Sequence, residues 1–183
     1  MERRRPNDLV RDAIGGDLDA IERVVDAWVD RLYAWCAGLG GPHVDAEEAA
    51  HDVLMLFVRR HATIREPDRL ASWMFSACRR VVANHRRRAW WRRWMPGPIA
   101  DPGAAATVEQ DLDDAARARK IRAVLDQAPA ADREVLTLCY LEETSVTEAA
   151  QILGLPEGTV KSRLFHARAR FRERCRTALG DLS

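Results

Sequence analysis

The stretch SVTEAAQILGLPEGTVKSRLFHARARFRERC, residues 145–175, decides the fold of the second half of this chain. Ser145 followed by Glu148 is a capping box, which opens a short helix by supplying acceptors to unpaired amides. Gly154 ends that helix where a left-handed residue is wanted. Pro156 falls where the first turn of the next helix tolerates a missing N–H. Ala150, Gly154 and Val160 occupy the small, turn and buried positions that let two helices of a helix-turn-helix pack closely. The second helix buries Val160, Leu164, Ala167 and Phe171, spaced 4, 3 and 4 apart. Lys161, Ser162, Phe165 and His166 fall off that stripe and face outwards. Arg163, Arg168, Arg170, Arg172, Arg174 and Arg176 surround them. A solvated basic face would explain the arginines but would leave Phe165 exposed without reason. The whole constellation points to DNA, with the first turns in the major groove and the distal arginines on phosphates.

Working outward, the second block offers helices over about 117–127, 131–142, 146–153 and 156–177. Before it, residues 95–116 (MPGPIADPGAAATVEQDLDDAA) hold three of the eight prolines, five acidic residues and no basic one. That composition predicts a flexible acidic linker. In the first block Ile21, Val24, Val25, Trp28, Leu32 and Trp35 form one apolar stripe of a helix over about 17–37. Gly38, Gly40, Gly41 and Pro42 are expected to stop it. A second helix starts at Asp45, capped with Glu48 three residues on, and buries Ala46, Ala49, Ala50, Val53, Leu54 and Phe57. A third begins near Asp68 and runs to Trp94. Strand signals are nearly absent. The expected fold is all-α: two small helical bundles, residues 1–94 and 117–183, joined by the linker.

The 183 residues carry a net charge of +1, but it is unevenly placed. Residues 1–94 hold 17 basic and 14 acidic side chains, and residues 117–183 hold 12 and 9. Two basic blocks therefore flank an acidic bridge. Of the 29 basic residues only Lys120 and Lys161 are lysines, and arginine suits planar contact with phosphate. No apolar run approaches the ~20 residues that cross a bilayer, and MERRRPNDLV lacks the apolar core of a secretory signal. Cys36, Cys78, Cys139 and Cys175 show neither a disulfide framework nor a zinc spacing, which fits a reduced cytoplasmic compartment.

Residues 79–93 (RRVVANHRRRAWWRR) contain seven arginines and no acid. The apolar stripe Leu70, Met74, Ala77, Val81 and Val82 gives way there to charge on every side. Such a helix end needs a polyanion or stays solvated. Trp90, Trp91 and Trp94 could stack on unpaired bases or pack on the bundle, and Trp73 is open to both readings.

Taken together, these segments resemble the extracytoplasmic-function group of the sigma-70 family of bacterial sigma factors, over roughly residues 8–176. DAEEAAHDVLMLFVRR (45–60) is similar to the helix that docks on the clamp helices of the polymerase β′ subunit. LASWMFSACRRVVANHRRR (70–88) is similar to the segment that captures and opens the −10 promoter element. Residues 156–170 are similar to the helix that reads the −35 element. The resemblance implies polymerase contacts at Asp45, Glu48, His51 and Asp52. It implies a strand-opening face of Trp73, Arg79, Arg80, Asn84, Arg87 and Arg88, with the loop at 61–68 as the pocket for a flipped base. It assigns −35 reading to Thr159, Lys161, Ser162, Arg163, Phe165, His166 and Arg168. Core RNA polymerase (β′ clamp helices and β flap), promoter DNA and a cognate anti-sigma factor are the implied partners, without membrane insertion. Arg80 stands where asparagine is frequent and His166 where arginine is frequent, so no promoter consensus carries over.

No catalytic constellation accompanies these features. The five histidines form no i, i+4 pair, and no phosphate loop or nucleophile elbow is present. Neither metal nor cofactor is expected, and the chain is read as a non-enzyme. An autonomous helix-turn-helix regulator, binding DNA alone, is the alternative.

Overall fold

A computed structural model describes residues 6–94, 120–121 and 123–179, and among these there is no strand. The helices are α1 (Pro6–Ile14), α2 (Leu18–Gly40), α3 (Ala46–Arg60), α4 (Leu70–Trp94), α5 (Ala130–Leu136), α6 (Val146–Leu153) and α7 (Glu157–Leu179). Residues 123–126 are also helical. The linker expected over 95–116 lies outside the described residues, as do residues 117–119 and 122 of the first predicted helix of the second block.

Local chemistry sets the boundaries. Asp17 caps α2 by accepting from the Ala20 amide at 2.9 Å. Asp45 caps α3, accepting from the amides of Glu47 and Glu48 at 2.9 and 3.0 Å. Ser145 accepts from Glu148 at 3.2 Å to open α6, and Gly154 closes it with φ +65° and ψ +36°. α2 does not stop at Gly38 as expected. It runs to Gly40 and ends at Gly41, whose φ is +66°. The glycine at 38 serves packing instead: a Cβ there would lie 2.6 Å from Thr137 Oγ1 and 2.7 Å from Leu141 Cδ1. α1 is an addition to the expected helices. Its Ala13 is fully buried, and Asn7 Nδ2 donates to Asp68 Oδ1, holding α1 to the turn before α4.

α1–α4 enclose one core. Leu32, Trp35, Phe57, Met74 and Phe75 are buried within it, with the Trp35 and Phe75 rings edge to face at 5.0 Å. Cys36 of α2 and Cys78 of α4 also meet there. Their thiol–thiol hydrogen bond and burial push the Cys78 thiol far above its ordinary range, so the thiolate that oxidation needs is suppressed. The same contiguous apolar cluster extends to Val135, Leu138, Ala149, Ile152, Val160 and Ala167. α5 continues past Leu136 into a π-helical turn, Thr137–Leu141.

The two bundles touch. Arg31 of α2 lies 2.7 Å from Glu142 and 3.0 Å from Glu148. Arg79 of α4 lies 2.7 Å from Glu134 of α5, and Arg86 pairs with Asp126. Ser72 Oγ donates to the carbonyl of Ile152 at 3.0 Å.

Candidate nucleic-acid interface

α4 presents two distinct stripes. Trp73, Arg80, Asn84, Arg87 and Trp91 are 7, 4, 3 and 4 residues apart, so at 3.6 residues per turn they share one face. Arg80, Arg87 and Trp91 are exposed, while Trp73 and Asn84 are half-buried. Arg87 donates to Asn84 Oδ1 at 3.1 Å, which orders the middle of this face. Arg88 is exposed at its edge. Ser72, Arg79 and Arg86, spaced by seven, form the neighbouring stripe, and all three are engaged by the second bundle. Arg79, expected on the strand-opening face, therefore sits beside that face.

Trp91, one of the tryptophans open to either stacking or packing, takes a definite place here. It extends the open stripe by a turn, 53 % exposed, with the ring of Trp90 5.2 Å away and nearly perpendicular. At the other end, Trp73 stands 6.2 Å from the buried Phe57 ring and helps to wall an open cleft of about 460 Å³. Thr63, Ile64, Arg65, Glu66, Arg69, Ser72 and Ser76 complete its lining. The cleft thus joins the 61–68 loop to the first two turns of α4.

On α3 the acidic residues divide. Asp45 is occupied as a cap. Asp52 Oδ2 lies 2.9 Å from His85 Nε2, and Glu48 Oε2 lies 3.8 Å from His85 Nδ1. His51 instead lines a shallow groove with Val29, Asp30, Tyr33, Glu47, Ala50 and Leu54. Val29 and Tyr33 are each 42 % exposed there. Their only mark in the sequence is a position off the α2 apolar stripe.

In the second bundle, Val160 and Ala167 are buried and Leu164 and Phe171 half-buried, so the inward stripe of α7 is as expected. Lys161, Ser162, Phe165, His166 and Arg168 are exposed and Thr159 half-buried. Phe165 is 70 % exposed, its ring 5.4 Å from His166. Arg163 is half-buried and acts on Glu134, whose carboxyl is pushed up by burial against the pull of Arg79 and Arg163. The distal arginines differ from expectation. Arg170 makes a two-pronged contact with Asp132 at 2.7 and 2.8 Å. Arg174 donates to the Gln127 carbonyl at 2.8 Å, and Arg176 pairs with Glu173. Arg170 and Arg174 thus tie α7 to the residues at and before the start of α5, whereas Arg176 forms an exposed pair within α7 itself. Arg168 lies 5.4 Å over the Tyr140 ring.

Comparison with known proteins decides what this geometry belongs to. Residues 24–92 match the model of Sigma-70 region 2, and residues 118–171 match that of Sigma-70, region 4. The RNA polymerase sigma-E factor of Streptomyces coelicolor is 33 % identical over 162 residues, covering 86 % of this chain and 87 % of that protein. The chain belongs to the sigma-70 family. Its place is in the extracytoplasmic-function group: the group's sigma factor SigW of Bacillus subtilis is 25 % identical over 174 residues, 88 % of this chain and 91 % of its own length. As a member of the family, this sigma factor is a promoter-specificity subunit of RNA polymerase, a transcription initiation factor. The fold agrees with two solved structures. CnrH in complex with the cytosolic domain of CnrY superposes with a TM-score of 0.66 at 22 % identity, over 92 % of this chain and 95 % of that one. RpoE with the anti-sigma factor NepR from Bartonella quintana gives 0.62 at 24 % identity, over 85 % and 96 %.

Among the described residues no three His, Cys, Asp or Glu side chains gather as a metal site. No described helix is long and apolar enough to cross a membrane.

Proposed function

We propose that the work of this sigma factor divides along the chain. Residues 1–94 dock on core polymerase and open the −10 element, residues 95–116 link, and residues 117–183 read the −35 element. The observation that carries this reading is the α4 stripe Trp73, Arg80, Asn84, Arg87 and Trp91, which runs from the cleft to the end of the helix. Unstacking duplex costs about 1.4 kcal/mol per step. One base stacked on an aromatic ring returns about 1–3 kcal/mol, so the half-buried Trp73 at the cleft and the exposed Trp91 offset a few steps, while Arg80, Arg87 and Arg88 hold the freed strand. The cleft takes the flipped base, as extrusion requires a pocket that reads it.

The α2–α3 groove around His51, Val29 and Tyr33, with Asp30 and Glu47 in its lining, accepts the polymerase clamp helices, and Asp45, Glu48 and Asp52 add acidic contacts beside it. Lys161, Ser162, Phe165 and His166 face the major groove of the −35 element, with Thr159, Arg163 and Arg168 flanking them. The chain carries no chemistry of its own; polymerase supplies it. CnrH and RpoE are seen with CnrY and NepR, and a cognate anti-sigma factor is the corresponding third partner here. The setting is the cytoplasm and the output a stress or envelope response.

The test is to map transcript 5′ ends made by core polymerase on fragmented host DNA, with and without this chain. Starts that depend on the chain and share two spaced upstream elements support the reading. Tight binding to DNA alone with no dependent starts would overturn it in favour of an autonomous regulator.

A further inference from the structure

α1 buries little: among its described side chains only Ala13 is fully buried. Its polar groups, however, hold both ends of the 61–68 loop. At the start of the loop His61 Nδ1 lies 3.3 Å from the carbonyl of Ile14. A carbonyl oxygen only accepts, so this ring nitrogen carries the hydrogen and donates. At the other end Asn7 Nδ2 donates to Asp68 Oδ1. Asn7 and Ile14 are seven residues apart, about 10 Å along one helix. The loop is therefore pinned at its start and its finish to a single rigid element.

The segment between these two pins is the wall of the cleft. His61–Thr63 and Pro67–Arg69 each form a 3-10 turn, and Thr63, Ile64, Arg65 and Glu66 make up half of the cleft lining. Ile64 is buried, and its amide donates to the His61 carbonyl at 3.0 Å. Arg65 and Glu66 are exposed and offer the cleft donors and an acceptor. Glu66 Oε2 accepts from Arg69 Nε at 3.0 Å, which orients the carboxylate. An extruded base is read by hydrogen bonds to its edge, and these weaken steeply as distance and angle slip. A loop released at either end samples many conformations, so its donors and acceptors would meet any base about equally.

We propose that α1 sets the base selectivity of the cleft: Asn7 and His61 are positioning residues that hold Arg65 and Glu66 where one flipped base is distinguished from the other three. Neither Asn7 nor His61 lines the cleft, and each acts through the loop. This inference rests on the assignment of the cleft to a flipped base above and adds what fixes its selectivity.

Exchanging the partners tests this. Asn7→Asp sets two carboxylates against each other, and adding Asp68→Asn restores a donor–acceptor pair with its direction reversed. His61→Phe keeps a ring and removes the donor, whereas His61→Asn keeps an N–H near the Nδ1 position. Holoenzymes of wild type and the four variants transcribe a template pool built on the strongest start found by 5′-end mapping, randomised at every position of both upstream elements. Transcript sequencing reads the base preference at each position, and titration with labelled core polymerase reads docking. Wild type should favour one base about tenfold at one position of the downstream element. Asn7→Asp and His61→Phe should lose most of that preference, at that position alone. The Asn7→Asp, Asp68→Asn exchange and His61→Asn should regain most of it, and polymerase affinity should be alike in all five proteins. Preference kept in both Asn7→Asp and His61→Phe, lost equally at every position, or lost in the exchange and in His61→Asn as well would each overturn the proposal. The two claims fail differently. Wild type with no dependent starts, or with no preferred base in the downstream element, sinks the promoter-reading assignment. A wild-type preference that the disruptive variants retain sinks only the role of α1.

Discussion

His85 Nε2 lies 2.9 Å from Asp52 Oδ2, so the helix proposed to dock polymerase is tied directly to the helix proposed to open DNA. His85 is 7 % exposed, and its other ring nitrogen is 3.8 Å from Glu48. Removing the imidazole leaves a void and strips a partner from Asp52. His85→Ala should therefore destabilise the first bundle by about 1–3 kcal/mol. Urea unfolding followed by circular dichroism checks this. A midpoint equal to wild type would show that the contact contributes nothing.

The end of α6 makes a backbone prediction. Gly154 holds φ +65°, and a Cβ added there would meet nothing within 4 Å, so space is free and only conformation resists substitution. A left-handed L-residue costs roughly 1–2 kcal/mol. Gly154→Ala should lower the stability of the chain by about that amount, and Gly154→Val by more, because β-branching stiffens the side chain. Thermal unfolding of the three proteins would test the order.

Lys161 and Phe165 should separate function from stability. Both side chains are exposed on α7. Alanine at either should leave stability within about 0.5 kcal/mol while removing upstream protection of the cognate promoter in footprinting. Protection unchanged in both variants would remove them from the reading surface.

Glu134 and Glu142 set a pH dependence. Burial raises both carboxyls, against the pull of Arg79, Arg163 and Arg133 on Glu134 and of Arg31 on Glu142; Glu148 adds to the rise at Glu142. A raised acid binds its proton more tightly in the folded chain than in the unfolded one, so its charged form costs stability as pH rises through the folded value. Wild type should gain on a Glu134→Gln, Glu142→Gln double variant as pH falls from 7 towards 5. Denaturant titrations at the two pH values check the sign, and a gap that moves the other way would contradict it.

Local signals made part of this architecture legible in the sequence. Asp45, Ser145 and Gly154 act within a few residues of themselves, and the stripes of α2, α3 and α7 follow from a 3.6-residue period. Contacts between distant residues leave no such trace. Gly38 resembles a helix stop because its real partners, Thr137 and Leu141, are about a hundred positions away. Arg79 resembles its neighbour Arg80, although one helical step turns it towards Glu134. Cys36 and Cys78 meet despite an uninformative spacing. Arg170 and Arg174 read as free cations in sequence, and only the fold brings Asp132 and the Gln127 carbonyl beside them. α1 escapes notice because nine residues with only Leu9, Val10, Ala13 and Ile14 to bury carry too little periodicity.

The central claim is that the open stripe of α4 holds melted promoter strand. Permanganate reactivity of unpaired thymines in polymerase–promoter complexes tests it most directly, using wild type and an Arg87→Ala, Arg88→Ala variant at matched core-polymerase occupancy. The account predicts that the variant still binds core polymerase and loses most of the reactivity across the −10 element. Full reactivity in the variant, or a loss no greater than its loss of polymerase binding, would contradict it.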